Sequence, residues 1–458
     1  MEKKRVKQHE MDMCSGSIPK KMLLFALPVM CSSMLQLLFN AADVVVVGRW
    51  AGENSLAAVG SNAMLISLIT SLFIGLSVGV SVAVGHFYGA RQQTDLSQTV
   101  HTAMFMSLFC GVLMTVLGIA GARILLIWMQ TPPEVMSLAS VYLKIYFVGT
   151  TAMMVYNFGA AVLRAVGDSQ RPLYFLLAAG VINVVLNLFF VIVLHMDVAG
   201  VALATVISET ISAVLVVYCL LHETSAIKLV WKQLKIYPDK LRQILQVGLP
   251  AGLEGFIFAL SCVVIQSAVN SFGPVVIAGS SASANLENFV YYSMNAFYQS
   301  TLAFISQNVG AKNYFRIRRI MITGLLYVLA AGLIVGNLAV LLGNSLLGLY
   351  SPNPEVVAEG MVRLRVLART YVICGMMDIV VGTMRGLGYS ILPTVVSLFW
   401  ICGVRITWIS TVFHMEKFHT PTTVYCSYPI SWTVTIAVHV CCLLWVHRRL
   451  RLKYQIEF

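Results

Sequence analysis

The chain has 458 residues, of which 58% are hydrophobic and only 11% are charged, and its formal net charge is +12. Soluble domains carry roughly 25% charged residues, so the composition excludes an ordinary soluble globular protein. Apolar stretches longer than ~18 residues, the length that crosses a bilayer as a helix, recur along nearly the whole chain. We therefore predict an all-α, polytopic membrane protein.

Twelve membrane spans are predicted, and the charged segment before the first of them is too long and too mixed for a signal peptide. The spans lie near residues 22–47, 57–85, 99–122, 137–163, 172–196, 199–221, 244–271, 278–308, 320–346, 360–384, 393–413 and 420–446. Lys and Arg concentrate in alternate loops, which by the positive-inside rule places both termini and the 222–243 loop in the cytoplasm. The predicted cytoplasmic loops and termini carry most of the Lys and Arg residues, among them Lys3, Lys4, Arg5 and Lys7. The loops on the other side carry only Arg49, Arg123 and Lys417. The basic excess is topological and requires no nucleic-acid partner.

An internal repeat divides the chain into two similar halves. LRAVGDSQRP (163–172) recurs as MRGLGYSILP (384–393), and Gly89-Ala90-Arg91 recurs at the same offset as Gly310-Ala311-Lys312. We predict an N-terminal six-helix bundle (1–221), a cytoplasmic linker (222–243) and a C-terminal six-helix bundle (244–458). Because six is even, the two bundles share one orientation and are related by a pseudo-twofold axis along the membrane normal.

Two further patterns favour structural roles. The small residues of GLSVGVSVAVG in the second span are typical of closely packed helices. The ten cysteines have no C-x-x-C or metal-ligand spacing, so we predict free thiols that pack as small hydrophobic groups.

A carboxylate, Asp43, lies within the apolar first span, where an ionisable residue is by default a candidate functional site. Ser33, Gln36, Asn40 and Asp43 share one helical face, since their spacing follows the helix period. Polar residues on neighbouring spans recur in the same way at Thr150 and Asn157, at Asn183 and Asn187, and at Thr205, Glu209 and Ser212. We predict that Asp43, Asn187 and Thr205 meet in the outer half of the first bundle. The alternatives are a structural ion pair for Asp43 and interhelical hydrogen bonds for the neutral residues.

The second half carries the longest polar stripe, which a water-filled substrate cavity would explain. Its members follow a 4-3-4-3-4 spacing: Ser281, Asn285, Asn288, Tyr292, Asn295 and Gln299. Glu254, Glu287 and Asp378 add carboxylates to this predicted cavity. Arg369 and Arg405 lie within spans, and we expect a salt bridge from them to Glu287 or Asp378. An anionic lipid headgroup is the alternative partner.

These residues resemble the multidrug and toxic compound extrusion (MATE) family, specifically its bacterial branch. The likeness covers residues 18–450 and rests on "LP" in spans 1 and 7 and on several motifs that are specific together. They are ADVVVVGRWAGENSLAAVG (42–60), GHFYGAR (85–91), SQNVGAK (306–312), the repeated LRAVGDSQRP and MRGLG, and YPISW (428–432).

The resemblance implies a secondary antiporter, not an enzyme, that exports organic, cationic and lipophilic compounds while H⁺ or Na⁺ enters. It implies that Asp43 binds the coupling ion, H⁺ or Na⁺, with Asn157, Asn183 and Thr205 as partners. Asn187 stands where many members carry a second Asp. No cofactor is expected, and the partners are small organic molecules and the lipid bilayer.

The protein is then expected to be a multi-pass monomer of the bacterial inner membrane. Pro28 is expected to act as a hinge in the first span, since proline interrupts the helical hydrogen bonds. The alternative function on the same fold is a flippase for lipids or lipid-linked oligosaccharides.

Overall fold

The computed structural model describes residues 10–129 and 131–454 of the chain. The basic residues Lys3, Lys4, Arg5 and Lys7 and both chain ends, whose cytoplasmic location was predicted, lie outside the described residues. Within the described part, all regular secondary structure is helical.

The first half contains six long helices. They are α1 (Ile18–Trp50), α2 (Glu53–Gly89), α3 (Gln93–Trp128), α4 (Pro133–Ala165), α5 (Gln170–Leu188) and α6 (Asp197–His222). A π-helical turn, Phe189–Val193, continues α5, so this span ends three residues before the predicted position. A short 3₁₀ turn, Trp231–Gln233, lies in the linker.

The second half contains the other six predicted spans, two of them interrupted. The helices are α7 (Pro238–Asn270), α8 (Pro274–Gly310), α9 (Ile317–Leu341), α10 (Gly343–Gly348), α11 (Pro354–Gly386), α12 (Ile391–Ser397), α13 (Gly403–Ser410) and α14 (Pro421–Tyr454). The predicted span 320–346 divides into α9 and the short α10. A π-helical turn, Leu398–Cys402, joins α12 to α13 and interrupts the predicted span 393–413.

Ten of the described helical segments are long and apolar enough to cross a membrane, and α8 and α11 are not among them. Their composition explains this, because α8 carries the polar stripe and α11 carries several charged residues, including Arg363, Arg369 and Asp378. Both helices are nevertheless as long as the ten apolar ones. A test based on hydropathy therefore misses these two spans, because polar or charged residues recur along them.

Contacts group the chain into two compact units. Unit 1 contains the residues up to Asp12 and Cys31–Gly252, and unit 2 contains Met13–Met30 and the residues from Leu253 onward. Within unit 1, α4 packs against α2, α3 and α6, and within unit 2, α11 packs against α8, α9 and α14. Each unit is thus built around one central helix.

The predicted linker 222–243 lies with unit 1, which differs from the predicted domain bounds. Backbone N–H groups of the linker donate to α3: Val230 N to His101 Nε2 at 3.0 Å, and Tyr237 N to Thr102 Oγ1 at 3.2 Å. Lys240 Nζ forms an ion pair with Asp95 at 2.5 Å. These contacts hold the linker on the N-terminal part of α3.

The sequence repeat also appears in the backbone. Gly167 and Gly388, which align in the repeat, both have positive φ, at 95° and 89°. Arg91 and Lys312, which align as well, adopt φ of 58° and 57°, values that are uncommon for residues with a side chain. The same tight turn therefore ends the corresponding helices in both halves.

The small-residue prediction for the second span is confirmed. A Cβ atom added to Gly75 would lie 2.2 Å from the backbone of Gly252, and one added to Gly79 would lie 2.2 Å from the carbonyl oxygen of Ile244. The first turns of α7 thus contact α2 backbone to backbone within unit 1.

Candidate functional site

The site in unit 1 begins with a close approach of α1 and α5. A Cβ atom on Gly180 would lie only 1.7 Å from the Phe39 ring, so glycine is required for this packing. Two turns further along α5, Asn187 Nδ2 donates to the Asp43 carboxylate. The same amide donates to Asn183 Oδ1 at 3.2 Å. Asn183 and Asn187 are buried, and Asp43 is half-buried.

Helix α6 completes this cluster with a hydroxyl and a second carboxylate. The Thr205 side chain lies beside the Asp43 carboxyl group, and its hydroxyl donates to Val201 O of its own helix at 3.0 Å. Glu209, one turn after Thr205, is close enough to Asp43 for the two carboxyl groups to interact electrostatically. In the described part of the chain, neither carboxylate forms an ion pair with Lys, Arg or His. The structural ion pair that was the alternative role of Asp43 is therefore not formed among the described residues.

Two tyrosines of α4 form the remaining wall. Tyr142 and Tyr146 stack with ring centroids 6.3 Å apart, and both lie close to Asp43 and Glu209. The sequence analysis did not single them out, although their spacing of four residues, continued at Thr150, marks one face of α4. We refer to Asp43, Asn183, Asn187, Thr205, Glu209, Tyr142 and Tyr146 as the acidic cluster.

The acidic cluster contains one buried hydrogen-bond acceptor that is not paired with any described residue. Asn187 Oδ1 is buried and has no hydrogen-bond partner among the described residues. A buried acceptor without a donor is costly, since it loses its hydrogen bonds to water. Together with the Asp43 and Glu209 carboxylates, it forms an oxygen-rich set that suits a proton, Na⁺ or an organic cation.

Other predicted members of the unit 1 site lie outside these hydrogen bonds. Asn157 donates to Met153 O of its own helix at 2.9 Å. Thr150 contacts Thr115 of α3 at 3.2 Å, which is the interhelical hydrogen bond given as the alternative role. Gln36 and Asn40 are exposed on the α1 face that also carries Asp43.

Pro28 lies inside α1, as Pro250 and Pro429 lie inside α7 and α14. Proline removes one backbone hydrogen bond from a helix interior and favours a bend there. The predicted hinge at Pro28 stays a prediction.

In unit 2, Glu254 joins a network around an arginine of the repeated motif. Arg385 Nη2 donates to Glu254 at 2.6 Å, and its Nη1 donates to the Tyr298 hydroxyl at 2.9 Å. Thr394 donates to the same Glu254 oxygen at 3.0 Å. Asp378 is half-buried and interacts electrostatically with both Glu254 and Arg385. The structure thus brings the predicted Glu254 and Asp378 together with Arg385, which the prediction had omitted.

Glu287 has a different partner from the predicted one. It forms a bidentate ion pair with Arg363, at 2.9 Å to Nε and 3.0 Å to Nη2, and accepts from Ser283 at 2.9 Å. The Glu287 side chain is only 1% exposed. This geometry is that of a structural pair within unit 2, between α8 and α11.

The predicted salt bridge of Arg405 to Glu287 or Asp378 is wrong. Arg405 donates instead to Ser431 at 3.2 Å and to Ser261 at 3.4 Å. The π-helical turn Leu398–Cys402 precedes it and inserts an additional residue, and each residue turns the helix by about 100°. Arg405 therefore points in a different direction from the one it would have on an uninterrupted helix.

The remaining stripe on α8 is partly accessible. Asn285 is exposed, while Asn288, Tyr292 and Asn295 are half-buried. Asn295 contacts the Tyr291 hydroxyl at 3.4 Å and accepts from Gln299 at 2.9 Å. The substrate cavity that these residues were predicted to line stays a prediction.

Metal and thiol chemistry find no support in the described residues. No group of three or more His, Cys, Asp or Glu side chains there is placed to hold a metal ion. The cysteines are free thiols, as predicted. A Na⁺ ion at the acidic cluster would have to rely on amide and hydroxyl oxygens beside the two carboxylates.

Comparisons with known proteins agree with this architecture. The chain is 29% identical to "Probable multidrug resistance protein YoeA" of Bacillus subtilis (strain 168), over 92% of each chain. It is 28% identical to "Probable multidrug resistance protein YpnP" of the same strain, over 89% of this chain and 91% of the relative. A MOP superfamily transporter from Pyrococcus furiosus has a similar structure, with a TM-score of 0.89 at 21% identity, covering 95% of this chain and 97% of that one.

The family model named MatE matches residues 28–189 and 250–409, which is most of both halves. A MATE crystal structure in complex with MaL6 matches with a TM-score of 0.88 at 21% identity, over 97% of this chain and 99% of that chain. These matches confirm the predicted all-α, twelve-helix fold of a multi-pass membrane protein. The chain is a member of the MatE family of transporters.

Proposed function

We propose that the protein is a secondary active antiporter that exports organic, cationic and lipophilic compounds in exchange for H⁺ or Na⁺. The observation that carries the proposal is the acidic cluster, in which Asp43 and Glu209 lie together with neutral partners and without a basic one among the described residues. The names of the two Bacillus subtilis relatives support export of drugs, and they do not favour the flippase alternative.

The physical basis of exchange is competition for the same negative charge. An anionic carboxylate in a low-dielectric surrounding is expensive unless a proton, a metal ion or a cationic ligand compensates it. The amide donor of Asn187 compensates only part of that cost. A coupling ion and a cationic substrate that both neutralise Asp43 and Glu209 therefore exclude each other, and alternate binding follows.

The energy for export comes from the coupling ion. One elementary charge that moves down the membrane potential releases ~2.3 kcal/mol per 100 mV. A monovalent cation that is exported moves against the same potential, so exchange of one such cation for one H⁺ or Na⁺ moves no net charge. The energy then comes from the concentration gradient of the coupling ion, about 1.4 kcal/mol for each tenfold difference. One H⁺ or Na⁺ per cycle thus supports accumulation of a monovalent cation outside by about the same ratio.

The test is transport by the purified protein in liposomes with a fluorescent organic cation. A pH gradient and a Na⁺ gradient are imposed separately, which identifies the coupling ion. Asp43→Asn is expected to abolish gradient-driven transport, and Glu209→Gln is expected to reduce it. Glu134→Gln is the matched control, because Glu134 is an exposed carboxylate in the first turn of α4 in the same unit. If Asp43→Asn still concentrates the cation against its gradient, the coupling role of Asp43 is wrong.

We also propose that the protein acts as a monomer in the bacterial plasma membrane, with both termini in the cytoplasm. The alternate distribution of Lys and Arg supports this orientation. Labelling of single cysteines introduced near Trp231 and near Lys417 with an impermeant thiol reagent tests it. We expect protection at Trp231 and labelling at Lys417 in intact cells, and the mass of the purified protein in detergent reports the oligomeric state.

A further inference from the structure

Arg405 of α13 is one of the most deeply buried large side chains of the protein, with an exposure of 1%. Its guanidinium donates to two serine hydroxyls, those of Ser431 and Ser261. It also lies over the rings of Tyr428 and Phe258, at 4.3 Å and 5.0 Å from the ring centroids. Its Nη2 has no hydrogen-bond partner among the described residues.

The charge of Arg405 is not neutralised by the side chains around it. Within residues 10–129 and 131–454, no Asp or Glu forms an ion pair with it. Tyr428 lies between two guanidinium groups, since Arg363 is 5.9 Å from the same ring. Only one carboxylate, Glu287, pairs with these two arginines, and it belongs to Arg363. The group around Tyr428 therefore has one positive charge in excess.

A second donor without an acceptor lies on the same turn of α14. Trp432 is 1% exposed, and its Nε1 has no hydrogen-bond partner in the described part of the chain. Its ring contacts Tyr428 with centroids 5.7 Å apart. Buried N–H groups are nearly always paired, so two unpaired donors around one tyrosine require an explanation.

Two of the helical segments around Arg405 have interrupted backbone hydrogen bonds close to it. The π-helical turn Leu398–Cys402 ends three residues before Arg405, and Pro429 lies between Tyr428 and Ser431. Such π-helical turns often occur at functional sites, and proline removes a backbone hydrogen bond. Both interruptions border the buried group around Arg405.

We propose that Arg405, Ser261, Ser431, Tyr428 and Trp432 form a binding site for the carboxylate group of an aromatic compound. The guanidinium supplies a charge-assisted hydrogen bond from Nη2, the hydroxyls supply polar contacts, and the Tyr428 and Phe258 rings supply a flat apolar surface. As a substrate site, it rests on the proposed export function and extends the transported compounds to those that carry a carboxylate.

The physical reason for proposing a ligand here is that a contribution to fold stability does not explain an arginine at position 405. A buried charge without a counter-charge destabilises the folded protein, and an apolar side chain of similar volume often raises stability. Two serines and two aromatic rings compensate only partly. A carboxylate that enters the site supplies the missing counter-charge.

The experiment is a binding measurement on the purified full-length protein in detergent, so it does not depend on transport. Thermal unfolding is followed by intrinsic fluorescence while benzoate is added, with benzamide as the uncharged analogue of the same shape. We expect benzoate, and not benzamide, to raise the Tm of the wild-type protein. Arg405→Met is expected to weaken benzoate binding by roughly tenfold or more, as for loss of a hydrogen bond to a charged group.

Two variants serve as controls. Arg405→Lys keeps the charge and is expected to retain part of the benzoate effect, and it replaces Arg405→Met if that variant does not fold. Arg369→Met removes an exposed arginine of α11 and is expected to bind benzoate as the wild type does. An equal effect of benzamide and benzoate, no effect of benzoate on the wild type, or an unchanged effect in Arg405→Met would each overturn the proposal. Export of an organic cation by Arg405→Met, measured in liposomes, separates this result from the proposed function.

Discussion

Replacement of Glu287 by Gln removes the negative partner of a buried arginine, and its effect can be worked out from the geometry. Arg363 makes two hydrogen bonds to Glu287, at 2.9 and 3.0 Å, and one to Ser280 at 2.9 Å. Glutamine keeps the size of the side chain but leaves the guanidinium charge uncompensated. Breaking a buried pair in this way costs about 3–5 kcal/mol.

That cost predicts a large change in thermal stability. A domain of 150–250 residues loses roughly 2–4 °C in Tm for each kcal/mol, so Glu287→Gln should lower the Tm of unit 2 by roughly 6–20 °C. The assay is thermal unfolding in detergent, followed by intrinsic fluorescence. Glu355→Gln, which changes an exposed carboxylate in the first turn of α11, is the matched control and should leave the Tm unchanged.

A double-mutant cycle completes the argument. Arg363→Met alone leaves the Glu287 charge unpaired, whereas the double variant Glu287→Gln with Arg363→Met removes both charges of the pair. The loss in the double variant should therefore be smaller than the sum of the two single losses. Additive losses, or a Tm of Glu287→Gln equal to that of Glu355→Gln, would refute the assignment of a structural ion pair.

Three further expectations are measured by transport in liposomes. Pro28→Ala should slow turnover more than it weakens substrate binding. Unchanged transport rates would show that Pro28 does not act as a hinge. Gly180→Leu should place a side chain where the Phe39 ring lies, separate α1 from α5 and reduce coupling, whereas Gly180→Ala should do so less. Asn187→Ala should weaken coupling, and Asn157→Ala should affect it less, because of these two residues it is Asn187 that donates to Asp43, whereas Asn157 donates to Met153 O. Equal effects of the two would contradict the described site.

The spans and the acidic cluster were largely predictable because they depend on hydropathy and helix period. Asp43, Asn187 and Thr205 were expected to meet from their depth along three spans, and the structure brings them together. Glu209 was visible as part of a polar stripe, but only packing shows that it lies near Asp43. The backbone turn at Gly167 follows the sequence repeat.

The partners of the arginines could not be predicted from spacing. Which arginine meets Glu287 depends on the rotation of α11 about its own axis, and sequence period does not determine rotation relative to a neighbour. For Arg405, the π-helical turn Leu398–Cys402 changes the direction of every side chain that follows it. Apolar segments of similar composition form regular and interrupted helices alike, so hydropathy gives no sign of this turn.

The low hydropathy of α8 and α11 has a consequence for biogenesis. An arginine at the centre of a nascent span disfavours release from the translocon into lipid by about 2.5–3.5 kcal/mol. Arg363 is synthesised after Glu287, and its counter-charge is therefore already present on α8 when α11 emerges from the ribosome. We expect α8 to remain beside the translocon until α11 arrives, and we expect the two to enter the lipid together with the intervening α9 as one insertion unit of three spans.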